Sequence, residues 1–437
     1  MKKVALISLG CAKNLVDSEV MLGYLHRSGY NFVTKLDRAD IIIINTCGFI
    51  KAARKESLEA MRKAICEKKK ATEKIIAAVG CYVKREKDTL KKKFPEIDIW
   101  MGVNDFDKIV NAIEGLPFES AASCFLYDHT SPRYLSTPAA WTYVKISEGC
   151  SHNCSFCAIP MIKGTYCSRN ISSITQEVKQ LVSRGIKEIN IVSQDSTYFG
   201  RDMGLKNGLT LLLKNLINIK KLEWIRILYG YPEEISDDFL EIMQEEKICS
   251  YLDIPFQHSA PEIIKHMKRG LDGTKALTLI KKIRKKLPGV AIRTSLIVGF
   301  PGEGKKEFEN LKKFVEEAKF DHLGVFTYSH EKNTSCYSLG DPVKETVKKR
   351  RKEILMKTQA EISYKNNTKY LGRKIDVLIE GRLKEDPTIL LARSGFQAPE
   401  VDGFVYIDNS KNSSDTINTI QKVEITESDV YDLYGKF

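Results

Sequence analysis

Cys150, Cys154 and Cys157 stand in a C-x₃-C-x₂-C spacing within Glu148-Gly149-Cys150-Ser151-His152-Asn153-Cys154-Ser155-Phe156-Cys157. Three thiolates can hold three irons of a 4Fe–4S cluster and leave the fourth iron open to a small molecule that is to be reduced. Zinc usually takes four ligands, commonly from paired C-x₂-C units. No fourth Cys or His follows at a suitable distance. His152, inside the loop, is the one other candidate ligand.

A second set of thiols is scattered in sequence. Cys11 follows Val4–Leu9, Cys47 follows Ile41–Ile44, and Cys81 follows Ile75–Val79. Each of these apolar runs reads as a strand, and each cysteine falls just past its carboxyl end, two of them directly after a glycine. In an open parallel sheet such ends share one edge, where ligands bind. Three buried structural thiols are the plainer account, but three at equivalent strand ends favour a second three-thiolate cluster. Cys66, Cys167, Cys249 and Cys336 have no ligand-like spacing and read as structural, and Cys124 has no role.

The elements that would place these thiols follow from periodicity. Up to about Gly115, short apolar runs (also Ile97–Met101) alternate with the helical stretches Asp17–Gly29, Ala52–Lys70 and Arg85–Phe94, with Tyr30–Thr34 a possible further strand. That alternation predicts an open parallel α/β sheet over residues 1–115. Residues 116–139, with Pro117, Pro132 and Pro138, read as a linker. From 140 to 324 six strand–helix units follow, the strands being Trp141–Ile146, Glu188–Ser193, Trp224–Leu228, Tyr251–Pro255, Val290–Val298 and His322–Tyr328. Six units predict a partial (β/α)₆ barrel, open on one side, with its chemistry at the strands' carboxyl ends. Asp341 to Tyr370 reads as a long polar helix with a solvated basic run at Lys348–Lys352, which ends a domain spanning 140–370. Residues 371–437 hold four short strands (Ile375–Leu378, Ile389–Ala392, Phe404–Ile407, Lys422–Ile425) and predict a small antiparallel β-barrel, OB-like in kind.

A chain of 437 residues with 43% apolar and 29% charged residues is that of a multidomain globular protein. No apolar run reaches the eighteen residues of a membrane span, and Val4–Ile7 is too short for a signal-peptide core. No membrane association and a cytoplasmic location are therefore expected. Eleven cysteines then argue for metal or redox use and not for disulfides. The net charge is +13, yet residues 371–437 carry eight Lys/Arg against twelve Asp/Glu, so an acidic tail follows a basic body.

The whole chain resembles the radical SAM methylthiotransferase family: a three-cysteine N-terminal domain, a radical SAM barrel and a C-terminal TRAM domain. The ribosomal-protein aspartate branch is carried by Ser8 to Glu19, Pro255-Phe256-Gln257-His258, Tyr328-Ser329-His330-Glu331 and Ala398-Pro399-Glu400-Val401-Asp402-Gly403. Gln397 departs from the Asp common before that last motif. The resemblance implies one 4Fe–4S cluster on Cys150, Cys154 and Cys157 and an auxiliary one on Cys11, Cys47 and Cys81. It also implies S-adenosylmethionine as radical source and methyl donor, with Phe156, Gln194, Asp195, Arg293, Val298 and Gly299 as candidate contacts. The implied reaction places a methylthio group on the β-carbon of an aspartate in small-subunit ribosomal protein S-twelve. That carbon is too weakly acidic for a side-chain base, and no acid–base residue is assigned; His258 and His330 merely lie at strand ends. A flavodoxin or ferredoxin is the expected electron donor. The alternative is a tRNA adenosine methylthiotransferase of the MiaB type, but a tail that grips phosphates should be basic. An acidic one suits a basic ribosomal protein.

Overall fold

A computed structural model describes residues 2–120, 125–409 and 416–437; Cys124 lies outside them. The first domain runs β1 (Lys3–Ser8), α1 (Ala12–Arg27), β2 (Asn31–Phe32), β3 (Ile41–Thr46), α2 (Lys51–Lys70), β4 (Ile75–Gly80), α3 (Cys81–Lys93), β5 (Ile99–Met101) and α4 (Ile109–Glu114). Its strands pair in parallel in the order β2-β1-β3-β4-β5. Helices cover both faces, so β3 is buried at all six positions. This explains why Ile41–Ile44 is unbroken and not alternating.

The central domain begins with β6 (Trp141–Lys145), the two-residue pair β7 (Ser147–Glu148) and β8 (Cys167–Ser168), and between those two the short α5 (Ile159–Lys163). It continues through α6 (Ile171–Ser183), β9 (Glu188–Val192), α7 (Gly208–Leu216), β10 (Trp224–Ile227) and α8 (Asp237–Ile242). Then come β11 (Tyr251–Asp253), α9 (Pro261–His266), α10 (Gly273–Lys286), β12 (Ala291–Val298), α11 (Lys305–Ala318), β13 (His322–Thr327) and α12 (Glu345–Asn367). Side-chain caps at Asn170, Ser236 and Asp272 start α6, α8 and α10. The six principal strands are those expected, but they form two parallel three-stranded sheets, β10-β9-β6 and β11-β12-β13. Between the sheets the backbone makes the bridge Ile225–Ile248 and, past β10, the hydrogen bond from the Gly230 amide to the Asp253 carbonyl at 2.8 Å. The long helix is shorter than expected, starting after Pro342. Its basic run is not wholly solvated. Lys348 is buried, with Nζ donating to the Tyr328 carbonyl at 3.1 Å, and Arg351 reaches the Glu303 carboxylate at 2.6 Å.

The tail is a closed barrel of five strands, β14 (Lys374–Arg382), β15 (Ile389–Ser394), β16 (Val405–Asp408), β17 (Ile420–Ser428) and β18 (Leu433–Lys436), in the order β14-β15-β16-β18-β17. The sequence pattern missed β18, where Gly435 interrupts the apolar alternation. Its pairing with β16 is parallel, so the barrel is not wholly antiparallel.

The tail also supplies the floor of the central domain. Polar side chains of the barrel strands end on tail atoms. Arg226 Nη1 donates to the Gly395 carbonyl at 2.8 Å, and Arg293 Nη1 pairs with Asp402 at 2.6 Å. Tyr143 donates to Glu400 at 2.8 Å, Tyr251 to Asp402 at 2.7 Å, and His322 Nε2 lies 2.8 Å from the Phe396 carbonyl. Arg393 of β15 crosses to Glu188 at 2.6 Å, and Glu188 also binds Arg226 at 2.9 Å; all three are fully buried.

The segment between the first two domains is fastened by Arg133. Its guanidinium binds Glu19 of α1 at 2.7 Å and Glu177 of α6 at 2.8 Å. Burial alone would raise the Glu177 carboxyl, but Arg169 and Arg133 overcome it and hold it below its usual range. A depressed carboxyl stabilises the fold above its unfolded value of about 4.3 and loses that contribution as pH falls through the folded one. Unfolding free energy is therefore expected to fall with pH below about 4.3, and Glu177→Gln to flatten that slope in urea titrations. An unchanged slope would show that the pair is not linked to folding.

Candidate active site

Two sets of thiols lie at the junction where the first domain docks on the barrel. Cys150 follows Gly149, whose φ of +76° sets a tight turn; a Cβ there would lie 2.1 Å from the Thr165 carbonyl oxygen. The Cys150 amide then donates to the Gly164 carbonyl at 3.1 Å, and the Cys157 amide to the Cys154 carbonyl at 3.2 Å. Ser155 ties the loop to the end of α9, its hydroxyl donating to the His266 carbonyl at 2.7 Å. Burial pushes the Cys150 thiol up to about 11 and Cys157 up to about 12, and the neighbouring cysteines add to both. Arg269 answers this, with Nη1 3.6 Å from Cys154 Sγ and its guanidinium 3.9 Å from the centre of the Tyr231 ring.

Cys11 is the N-cap residue of α1, Cys47 follows β3, and Cys81 opens α3. Gly10, at φ +97°, lets the loops close up: a Cβ there would stand 2.9 Å from Cys47 Sγ. Asn14 staples all three loops, its side chain donating to the carbonyls of Leu9 and Thr46 and accepting from the Cys81 thiol at 3.6 Å. Burial pushes Cys81 up to about 12; Lys163 of the barrel opposes this, while Cys11, Cys47 and Glu148 reinforce it. Cys47 is raised for the same first reason. Two buried thiols whose ionisation is opposed by neighbouring cysteines suit a polycationic occupant. Among the described residues no three His, Cys, Asp or Glu side chains converge on a single ion. A cubane imposes no such convergence, because each thiolate takes a different corner.

Between the two sets lies a buried charge network. Lys145 pairs with Asp17 of α1 and, at 2.8 Å, with Glu148; Lys163 reaches both carboxylates at 3.2 Å. Ala158 and Ile162, just past Cys157, pack into the first domain's core with Val79, Cys81 and Phe106. At the rim, Arg54 and Arg85 of the first domain clamp Glu331 in the loop after β13. The sheet edge that carries Cys11, Cys47 and Cys81 is thus held over the strand ends of the barrel.

The other candidate residues are placed as follows. His152 stacks on Tyr231 at 3.7 Å between centroids, and its Nε2 lies 2.5 Å from Asp195. Asp195 also caps the turn at Thr197 and Tyr198. Gln194 donates to Glu148 at 2.6 Å, and its own side-chain oxygen is buried without a partner among the described residues. Phe156 packs on the cluster that contains Met267, Phe300 and Tyr328. Arg293 is engaged by Asp402 of the tail, away from the cysteine loop. The Val298-Gly299 turn is lined on one side by Lys348, and the Gly299 amide donates to Glu303. His258 is buried against Glu303, and His330 stacks on Tyr337. Asn14, Lys163, Tyr231 and Arg269 escaped the sequence reading. Only Asn14 left a signal, lying three residues past Cys11.

Comparison with known proteins agrees with this layout. Family models match residues 3–102 (uncharacterized protein family UPF0004), 144–315 (radical SAM superfamily) and 371–437 (TRAM domain). The chain is 43% identical over 442 residues to the ribosomal protein uS12 methylthiotransferase RimO of Citrifermentans bemidjiense, covering 100% of this chain and 98% of that one. It is 43% identical to the protein of the same name from Aquifex aeolicus, covering 99% and 97%. Among solved structures, the radical S-adenosylmethionine methyltransferase TsrM from Kitasatospora setae matches with a TM-score of 0.54, over 74% of this chain and 73% of that one. At 13% identity that likeness is one of fold.

Proposed function

Since this chain belongs to the RimO family of radical SAM methylthiotransferases, we propose that it methylthiolates the β-carbon of an aspartate in ribosomal protein uS12. The observation that carries this reading is the placing of both thiol sets at one domain junction, with Cys81 within the electrostatic reach of Lys163 and Glu148 of the barrel. We assign one 4Fe–4S cluster to Cys150, Cys154 and Cys157, and an auxiliary one to Cys11, Cys47 and Cys81. When bound, the clusters and S-adenosylmethionine supply one-electron cleavage, a sulfur-carrying iron and a methyl group.

The chain's own part is to bind, orient and exclude water. The Asp17–Lys145–Glu148–Lys163 network fixes the separation of the two cysteine loops. Breaking such a buried network by removing one partner costs about 3–5 kcal/mol, so the two sites move little against each other. The unpartnered oxygen of Gln194 is a ready acceptor for a donor group of S-adenosylmethionine. Phe156 and the Val298-Gly299 turn stay candidates for its apolar surroundings. Asp195 acts through His152, and Arg293 through the tail. The working domain limits are 1–115, 116–139, 140–370 and 371–437, and the site of action is the cytoplasm.

The tail's charge is partly turned inward, since Glu380, Glu400 and Asp402 hold Arg393, Tyr143 and Arg293. Asp376, Glu385, Asp386, Asp408, Glu427 and Asp429 stay exposed among Arg373, Lys374, Arg382, Lys384, Lys422 and Lys436, and these carboxylates are the contacts we assign to a basic protein. A flavodoxin or ferredoxin is the matching electron donor. The test is mass spectrometry of uS12 and of total tRNA nucleosides from a strain lacking this protein. The expected result is the loss of one methylthio mass from an aspartate of uS12. Loss of methylthiolated tRNA nucleosides with uS12 intact would assign the chain to the tRNA reaction instead.

A further inference from the structure

We infer that the outer face of α2 and α3 docks on the phosphate backbone of ribosomal RNA beside uS12, so that the chain takes its substrate on the RNA and not as free protein. This rests on the reading above that the substrate is uS12. The two helices carry fourteen Lys/Arg against five Asp/Glu, a net +9 in a chain of net +13. Both pack on one face of the first sheet, through Ala60, Met61 and Ala64 of α2 and Val83 and Leu90 of α3. Their other sides are open to solvent. Glu96, Asp98 and Glu331 reach in from neighbouring segments to pair with them, and counting these three in still leaves a surplus of +6.

Part of this charge has a local account. Lys68–Lys70 and Lys91–Lys93 stand in the last turns, where a helix favours cations. The amino ends have no such account. Neither helix has an acidic residue in its first turn, yet Lys51 and Lys84 stand there, where the helix dipole disfavours cations. Arg54 and Arg85, at the same ends, are taken by Glu331. Lys51, Arg62, Lys63, Lys84 and Lys87 enter no ion pair within 4.0 Å among the described residues.

The face begins at the site. Both helices run back from the carboxyl ends of their strands, so α2 starts just past Cys47 and α3 at Cys81. The Lys51 amide donates to Ser329 Oγ and the Arg85 guanidinium to the Lys332 carbonyl, each at 3.2 Å, in the loop after β13. From that rim the twenty residues of α2 run outward for about 30 Å. Phosphate contacts need cations and no apolar anchor, whereas a specific protein partner needs a buried aromatic or apolar centre. Among the described residues, none of the large apolar side chains left exposed lies on α2 or α3. A basic protein by itself is repelled by such a face, and the RNA that holds it is drawn in.

The test compares the anaerobically reconstituted holoenzyme with its Lys63→Gln/Lys84→Gln/Lys87→Gln variant. Binding is measured over a salt series, both to small ribosomal subunits from a strain lacking this protein and to free purified uS12. The variant is expected to bind the subunits about 10-fold or more weakly and to lose about 3 from the salt slope, one for each phosphate contact. Its affinity for free uS12 is expected to hold, which also shows that it is folded. Unchanged binding to subunits, or an equal loss on free uS12, overturns the proposal. Intact subunit binding with slower reduction by flavodoxin overturns it too, and makes this face the electron donor's dock. A wild type that binds free uS12 more tightly than subunits overturns it without any variant. A wild type that methylthiolates tRNA and leaves uS12 untouched overturns the functional reading itself. One that modifies uS12, but whose binding to subunits ignores the three lysines, overturns this inference alone.

Discussion

Alanine at Cys150, Cys154 or Cys157 is expected to abolish methylthiolation and to lower bound iron from about eight to about four per chain. Alanine at Cys11, Cys47 or Cys81 is expected to remove the other four or so. Combining one change from each set should leave almost none. The additivity follows from the architecture, because the two sets sit on different domains and share no backbone loop. The raised pKa values of Cys81 and Cys157 add a physical reason for the size of the effect. Burial and like-charged neighbours make these thiolates unfavourable alone, so on the proposed assignment they need a cationic occupant, and removing one corner is expected to undo the set. Iron analysis and electron paramagnetic resonance of anaerobically reconstituted protein read the result. Four irons in the wild type, unchanged by Cys11→Ala, would sink the auxiliary assignment.

Glu188→Gln should have the largest effect on stability. Glu188 sits at the start of β9 and neutralises Arg226 within the barrel and Arg393 from the tail. The amide keeps the shape but leaves two buried guanidiniums with less counter-charge. Glu380 remains beside Arg393, but burial raises its carboxyl, and Arg393 only partly offsets this. Breaking a buried charge network in this way costs about 3–5 kcal/mol. In urea the first unfolding transition is expected to move to lower denaturant by that amount, with protease cutting the tail junction earlier than in the wild type. A midpoint within error of the wild type would show that the apolar contacts shared by Tyr143, Tyr251, Leu378 and Ala398 hold the tail without the ions.

What the sequence revealed and what it hid divide along a physical line. Strand and helix positions came from local periodicity, and the cysteines could be grouped because parallel strands end on one edge. The partner of Arg293 could not be seen. An arginine on an interior strand face reads as a ligand-binding residue because a buried cation needs an anion, and the anion, Asp402, lies 109 positions away. Arg393 finds Glu188 across 205 positions for the same reason. The acidic surplus of the tail was legible as a number, but not the inward turn of Glu380, Glu400 and Asp402. Lys13 stood in plain view within the motif that carried the family resemblance. Its approach to the Tyr229 ring, 3.4 Å from Nζ to the centroid, is a property of the packed interface and of no local pattern.

The floor of the barrel has a consequence for how this chain is made. A ribosome releases it amino end first. Both thiol sets and all six barrel strands are therefore in the open before Phe396, Glu400 and Asp402 exist. Until they arrive, Arg226, Arg293, Tyr143, Tyr251 and His322 line a wet, unfinished basin under the site. The order of synthesis and the order of completion thus run opposite ways. The thiol-bearing end of the molecule waits for the tail to close it from below, since contacts so distant in sequence form late.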